Sequence, residues 1–274
     1  MSSAPWDYIA KLVCIGDSGC GKSSLTIRLC EGRFVTHHDV TIGVEFGSRI
    51  VPVGPPHSNT LSGSSLPPST APEADGNLKG GLPEPRTKPS PTPAAAEIQK
   101  HMKLSLWDTA GQETYKSVTR SYFRGASGAL LVFDLSRKQT FQHVTDWLND
   151  LRQIAEPDIV VVLVGNKADL AKPGSVDDSE AGGENKREVT REEAEDWARR
   201  NGVLEYVETS AKSGENVEKA FMRVAERIYE NIQAGKYDLN DRRSGVKGPT
   251  AAGAGGIRPV RLSAEKAKTG AGCC

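Results

Sequence analysis

The stretch "KLVCIGDSGCGKSSL" constrains this chain more than any other. Six mostly apolar residues, 11–16, run into Gly16-Asp17-Ser18-Gly19-Cys20-Gly21-Lys22-Ser23, and a helical pattern over 22–31 follows directly. The spacing G-x-x-x-x-G-K-S on a strand-to-helix turn suits an anionic ligand. Glycines let successive backbone amides point into the turn, and the new helix aims its N-terminal dipole at the same place. Lys22 is placed to reach β- and γ-phosphates and the Ser23 hydroxyl to ligate Mg²⁺, with Ser24 beside it. A plain glycine-rich turn would not need strand, loop, lysine and helix in this order.

The rest of the chain repeats that alternation. Residues 103–107, 128–135, 158–165 and 203–208 read as strands, and 128–135 and 158–165 are apolar almost throughout, as strands covered on both faces are. Helical patterns lie over 138–155, 191–200 with Thr190 as N-cap, and 215–233. Residues 41–51 alternate less cleanly and suit an edge strand. The expected fold is α/β: six strands, mostly parallel with one antiparallel edge strand, and helices on both faces. One domain over 6–235 is expected, followed by a Gly- and Ala-rich, basic tail over 236–274.

Two segments depart from the pattern. Residues 52–97 hold most of the chain's 16 prolines and few bulky apolar side chains. Such a segment buries too little to offset its ordering entropy and reads as a disordered insertion at a hairpin tip. Residues 172–186 read as a shorter one. Lys+Arg and Asp+Glu number 35 each in the 274 residues, which argues against bulk nucleic-acid binding. The five cysteines are odd in number and lack C-x-x-C spacing, so neither a disulfide framework nor a zinc site is expected. No secretory leader or membrane span is evident.

Further motifs choose among phosphate-binding proteins. "VGNKAD" ends an apolar strand: Asp169 suits the N1–H and N2 amine of guanine, a pair adenine lacks, with Asn166 and the Lys167 stem framing the ring. "ETSAK" supplies Ser210, Ala211 and Lys212, the Ala211 amide facing guanine O6. In "WDTAGQE", Asp108 suits Mg²⁺ through water, Gly111 offers an N–H to a γ-phosphate and Gln112 suits the orientation of an attacking water. Thr41, before the edge strand, is a second hydroxyl for Mg²⁺ when the γ-phosphate is present. These motifs weigh against a P-loop kinase or ATPase.

In this order the motifs resemble the Ras superfamily of small GTPases. "IGVEF", "KLSLWDTAGQE", "SYFRGA" and "LVFDLS" resemble the Rab family, and "HHDVTIGVEFGSRI" with "YENIQAGKYDLN" and "GVKGP" is similar to its Rab-two branch, with the Rab-four and Rab-fourteen branches as competitors. The resemblance implies a GTP/GDP switch that hydrolyses GTP with Mg²⁺, Lys22, Thr41 and Gln112 serving catalysis. A scaffold that binds GTP with negligible hydrolysis is the alternative. It implies that Phe34 packs on the guanine, that Ile42, Phe46, Trp107 and Tyr122 meet effectors, and that segments near 34–42 and 111–124 move with the nucleotide. It also implies two geranylgeranyl groups on the final Cys273 and Cys274, enough for stable anchoring where one chain is marginal. Exchange factor, GAP, GDI or escort protein and effectors are the partners implied. The expected form is a monomer on the cytoplasmic face of ER–Golgi membranes, with a GDI-bound cytosolic pool.

Overall fold

The structure is a computed structural model that describes residues 5–36, 40–58, 98–112, 116–171, 185–241 and 244–248. Its elements run β1 (Tyr8–Ile15), α1 (Lys22–Glu31), β2 (Val44–Val53), β3 (Lys100–Thr109), α2 (Lys116–Ser121), β4 (Gly128–Asp134) and α3 (Lys138–Gln142). They continue with α4 (Val144–Arg152), β5 (Val160–Asn166), α5 (Arg191–Arg200), β6 (Glu205–Glu208), α6 (Val217–Gln233) and β7 (Val246–Lys247). The sheet order is β2-β3-β1-β4-β5-β6, parallel except where β2 lies antiparallel on β3.

Strand alternation sends side chains to two cores. Leu12, Cys14, Leu130, Val132 and Val162 face α1 and α6, while Val13, Ile15, Leu131, Phe133 and Leu163 face α3, α4 and α5. The α6 stripe of Val217, Phe221, Val224 and Ile228 is buried as its period requires, each large side chain contributing about 1.5–3 kcal/mol. Thr190 caps α5 by accepting from the Glu193 amide at 3.2 Å. The pattern over 138–155 divides at His143 into α3 and α4, and its stripe of Phe141, Val144, Trp147, Leu148 and Leu151 is buried.

Three expectations need correction. The insertion does not begin at 52: β2 continues through Pro52 and the fully buried Val53, and 54–58 form a fastened turn. Pro52 is tolerated because β2 is an edge strand, where a missing N–H breaks no ladder. The Gln99 side chain spans the mouth, donating to the Val53 carbonyl at 2.9 Å and accepting from the His57 amide at 3.0 Å, and Glu226 of α6 accepts from the Gly54 amide. The shorter insertion likewise closes early, since the Lys186 amide donates to the Leu170 carbonyl at 3.0 Å. The disorder expected over the remainder, 59–97 and 172–184, lies outside the described residues.

The third correction concerns strand count and tail. The described residues form seven strands, because β7 pairs antiparallel with Ile9 and Ala10. On that side β4 pairs β1 only over Leu12–Ile15, so the β1 edge ahead of it accepts a short strand. The Lys11 amide donates to the Gly245 carbonyl at 2.9 Å, Val246 is fully buried, and Tyr237 and Leu239 pack on the α6-side core. The chain therefore folds back after α6 as a strap through Gly248; Cys273 and Cys274 lie outside the described residues.

Gly245 is what lets the strap seat, since a Cβ there would stand 1.9 Å from the Gly125 carbonyl oxygen. Gly245→Val is expected to detach it, speeding hydrogen exchange at the Lys11 amide and lowering stability by roughly 1–2 kcal/mol through exposure of Val246. Unchanged exchange at Lys11 would contradict the strap.

Candidate functional site: a phosphate and purine cleft

The candidate site lies at the carboxyl ends of β1, β3, β5 and β6, where open α/β sheets bind ligands. A cavity of about 260 Å³ is lined by Ser18, Gly19, Gly21, Lys22, Ser23, Ser24, Phe34, Thr41, Gly111 and Lys167, among others. Lys22 is buried beneath the 16–21 loop, its ammonium donating to the Gly16 and Asp17 carbonyls at 2.9 Å each. Burial pushes that ammonium's pKa down, a cost that phosphate oxygens beside it would offset. Gly111 lies close above: a Cβ on it would meet the Lys22 Nζ at 2.4 Å and the Asp17–Ser18 peptide at 2.5 Å.

The structure brings Ser23 and Thr41, two of the three residues expected to hold a metal, into contact. Ser23 Oγ and Thr41 Oγ1 lie 2.8 Å apart and share a hydrogen bond, and Asp108 is buried at the end of β3. Two hydroxyls and a carboxylate are hard oxygen donors, which suits Mg²⁺ with phosphate and water completing its shell. No cluster of three His, Cys, Asp or Glu stands elsewhere among the described residues.

The purine side is organised around Asn166, which is buried at the end of β5. Its Nδ2 donates to the Cys20 carbonyl at 2.8 Å, and its Oδ1 accepts from Thr209 Oγ1 and the Ala211 amide, both at 3.2 Å. Asn166 thus ties the phosphate loop to the loop after β6 rather than merely framing a base. Ser210 Oγ donates to Asp169 Oδ1 at 2.6 Å, orienting the carboxylate assigned to guanine. Lys167 reaches Asp134 Oδ2 at 2.7 Å, which holds its stem across the cleft.

Other expected residues are placed less directly. The Asp17 side chain turns away toward α3–α4, held by His143 Nδ1 at 2.7 Å and Trp147 Nε1 at 2.8 Å, so its contribution to the cleft is backbone. Cys20 is fully buried and likewise offers only its backbone. Gln112 follows Gly111 in a bend and does not line the cavity. Lys212 and Ala211 present their carbonyls to Arg28.

Sequence reasoning missed Asp134, Arg137 and Thr209. Burial alone would raise the Asp134 carboxyl, but Lys167 and Ser136 outweigh it and hold it below its usual range. Arg137 joins Asp134 at 3.0 Å and donates to the Ser18 carbonyl at 3.1 Å, buttressing the phosphate loop from outside. The available signal was position: Asp134 ends the β4 strand.

Beside the cleft, Phe46, Trp107 and Tyr122 form one aromatic row. Ring centroids are 4.6 Å apart for Phe46–Trp107 and 5.7 Å for Trp107–Tyr122. Phe46 is 65% and Ile42 77% exposed, so the row opens to solvent. Behind it, Lys11 Nζ lies 3.8 Å from the Trp107 ring centroid, and burial lowers its pKa to about 8.

A phosphate loop, a hydroxyl–carboxylate metal set and a two-loop purine site, all at one sheet edge, define a nucleotide-binding domain. The Ras family matches residues 11–60 and 92–230, and the chain belongs to it: it is a Ras-superfamily small GTPase. The gap between the matched parts falls within the expected insertion. Members of the family bind GTP and GDP, generally with Mg²⁺.

Asn166→Ala removes three buried hydrogen bonds that join two loops. At about 1–3 kcal/mol for a buried polar group left unpaired, GDP release is expected to accelerate tenfold or more, measured with fluorescent GDP. Release at the wild-type rate would remove Asn166 from this role.

Proposed function

We propose that this GTPase is a Rab-type switch that hydrolyses GTP, recruits effectors and directs vesicle traffic between ER and Golgi. The observation that carries the reading is the exposed Phe46–Trp107–Tyr122 row, contiguous in space although its members lie on β2, on β3 and just after α2. Phe46 and Trp107 are register partners on neighbouring strands, which fixes their edge-to-face contact. An aromatic row with Phe46 exposed, together with the exposed Ile42 just before β2, has the composition of a protein-binding patch.

In this reading Lys22 neutralises the charge of the transferring phosphoryl group, and Thr41 and Gly111 sense the γ-phosphate, so their segments tighten when it is bound. Bound Mg²⁺ supplies further charge neutralisation, held by Ser23, Thr41 and Asp108. Gln112 orients the attacking water, which requires its segment to close over the cleft. Guanine lies between Phe34 and the 209–212 loop, read by Asp169 and by the Ala211 amide, which shares its one hydrogen between Asn166 Oδ1 and the base.

The anchor belongs to the same proposal. Two geranylgeranyl groups on Cys273 and Cys274 hold the protein to the bilayer, and GDI or escort protein shields them in the cytosol. Because the strap returns the chain to β1, the tether is counted from residue 249 and not from 236. No helix among the described residues is long and apolar enough to cross a membrane.

Two experiments test the reading. Single-turnover assays should show GTP hydrolysis slowed roughly tenfold or more by Gln112→Leu; equal rates would favour a non-hydrolysing scaffold. In cells, an N-terminally tagged protein should colocalise with Golgi markers and become diffuse as Cys273→Ser/Cys274→Ser. Endosomal signal would move the address to the Rab-four or Rab-fourteen kind, and a membrane-bound double variant would refute the lipid anchor.

A further inference from the structure

Arg28 lies in the last turn of α1, outside the cavity, and no nucleotide-binding motif includes it. Its guanidinium is nevertheless spent on two separated segments. Nε donates to the Ala211 carbonyl at 2.9 Å, Nη2 to the Lys212 carbonyl, and Nη1 to the Gly32 carbonyl at 2.8 Å. A Cβ on Gly214, at the far end of the same loop, would stand 3.7 Å from the Arg28 Cδ.

Those two segments flank the purine. Gly32 caps α1 in the left-handed conformation and leads within two residues to Phe34, which lines the cavity. Ala211 and Lys212 belong to the loop after β6, whose Ser210 orients Asp169. Asn166 secures that loop from its inner side through the Ala211 amide, and Arg28 secures it from its outer side through the Ala211 carbonyl. The two peptide groups flanking the Ala211 Cα are therefore each held, the first by Asn166 at the end of β5 and the second by Arg28 on the helix that begins with Lys22.

We propose that Arg28 is a positioning residue for guanine recognition: it clamps both walls of the base site to α1 and so sets the register of Asp169 and the Ala211 amide. This rests on the guanine reading of Asp169. A planar fork with five donors can serve three carbonyls in different directions, whereas a lysine ammonium on a flexible stem cannot hold the same three at once. A competing role is simple charge complementarity, since a cation in the last turn of any helix meets the negative end of its dipole. The two roles separate cleanly, because lysine preserves the charge and loses the fork.

The test compares wild type, Arg28→Lys and Arg28→Ala, purified as the full chain. Release of fluorescent GDP and of fluorescent IDP, which lacks the N2 amine, is measured with and without Mg²⁺ chelation. Both variants are expected to release GDP about tenfold faster, the loss of roughly one charge-assisted hydrogen bond. Their preference for GDP over IDP should shrink, while the acceleration caused by Mg²⁺ chelation stays as in wild type, because the phosphate side is untouched.

A lysine variant that keeps wild-type release and the full GDP-over-IDP preference would overturn the clamp and leave only the dipole role. Faster release with the preference intact would overturn it too, as general loosening rather than positioning. If wild type itself fails to prefer GDP over ADP, the guanine reading falls first and the inference about Arg28 falls with it. That outcome is recognisable because it appears without any substitution.

Discussion

The site depends on one buried amide. Asn166 sits at the end of β5 with all of its hydrogen-bonding directed at other chain segments: the phosphate loop through Cys20, the base loop through Thr209 and Ala211. Three parallel strands, β1, β5 and β6, deliver these segments to one edge, but strand pairing alone does not fix how their loops approach. A short polar side chain with both donor and acceptor can, and in a dry environment each unmade bond would be costly. The outer supports have the same logic. Arg137 and Asp134 brace the phosphate loop from the α3 side, and Arg28 braces the base loop from the α1 side.

Energetically the cleft is purchased by the two cores beneath it. β4 and β5 are buried along their whole length and β3 at alternate residues, so Asp108, Asp134 and Asn166 are buried where this packing stops. Burial makes their charges and dipoles strong and also makes them dependent on partners. Lys22 shows the tension most clearly: it is buried on the wall of the cleft, and its pKa falls through desolvation. A site built this way is preorganised for an anion.

Much of this was legible in the residues, for physical reasons that can be named. Helix α1 was bounded correctly because the glycine loop and Gly32 punctuate it, and α5 because Thr190 caps its first turn. The role of Asn166 was only half legible: its motif marked the base site, but its bonds to Cys20, Thr209 and Ala211 span distances no local pattern encodes. Arg28, Asp134 and Arg137 act through contacts of the same long range. Pro52 misled because proline content was read as disorder, while an edge strand tolerates it. The β7 strap was invisible because two residues carry no periodicity, and only the open edge of β1 gives them a place.

The most direct measurement of the central claim is the identity of the nucleotide that copurifies with the full-length protein, released by denaturation and resolved by chromatography alongside metal analysis. The account predicts GDP or GTP at about one equivalent, with Mg²⁺ in equal amount. Adenine nucleotide in its place would contradict the assignment of Asp169 and the 209–212 loop to guanine. A protein that binds no nucleotide when GDP and Mg²⁺ are added would contradict the cleft itself.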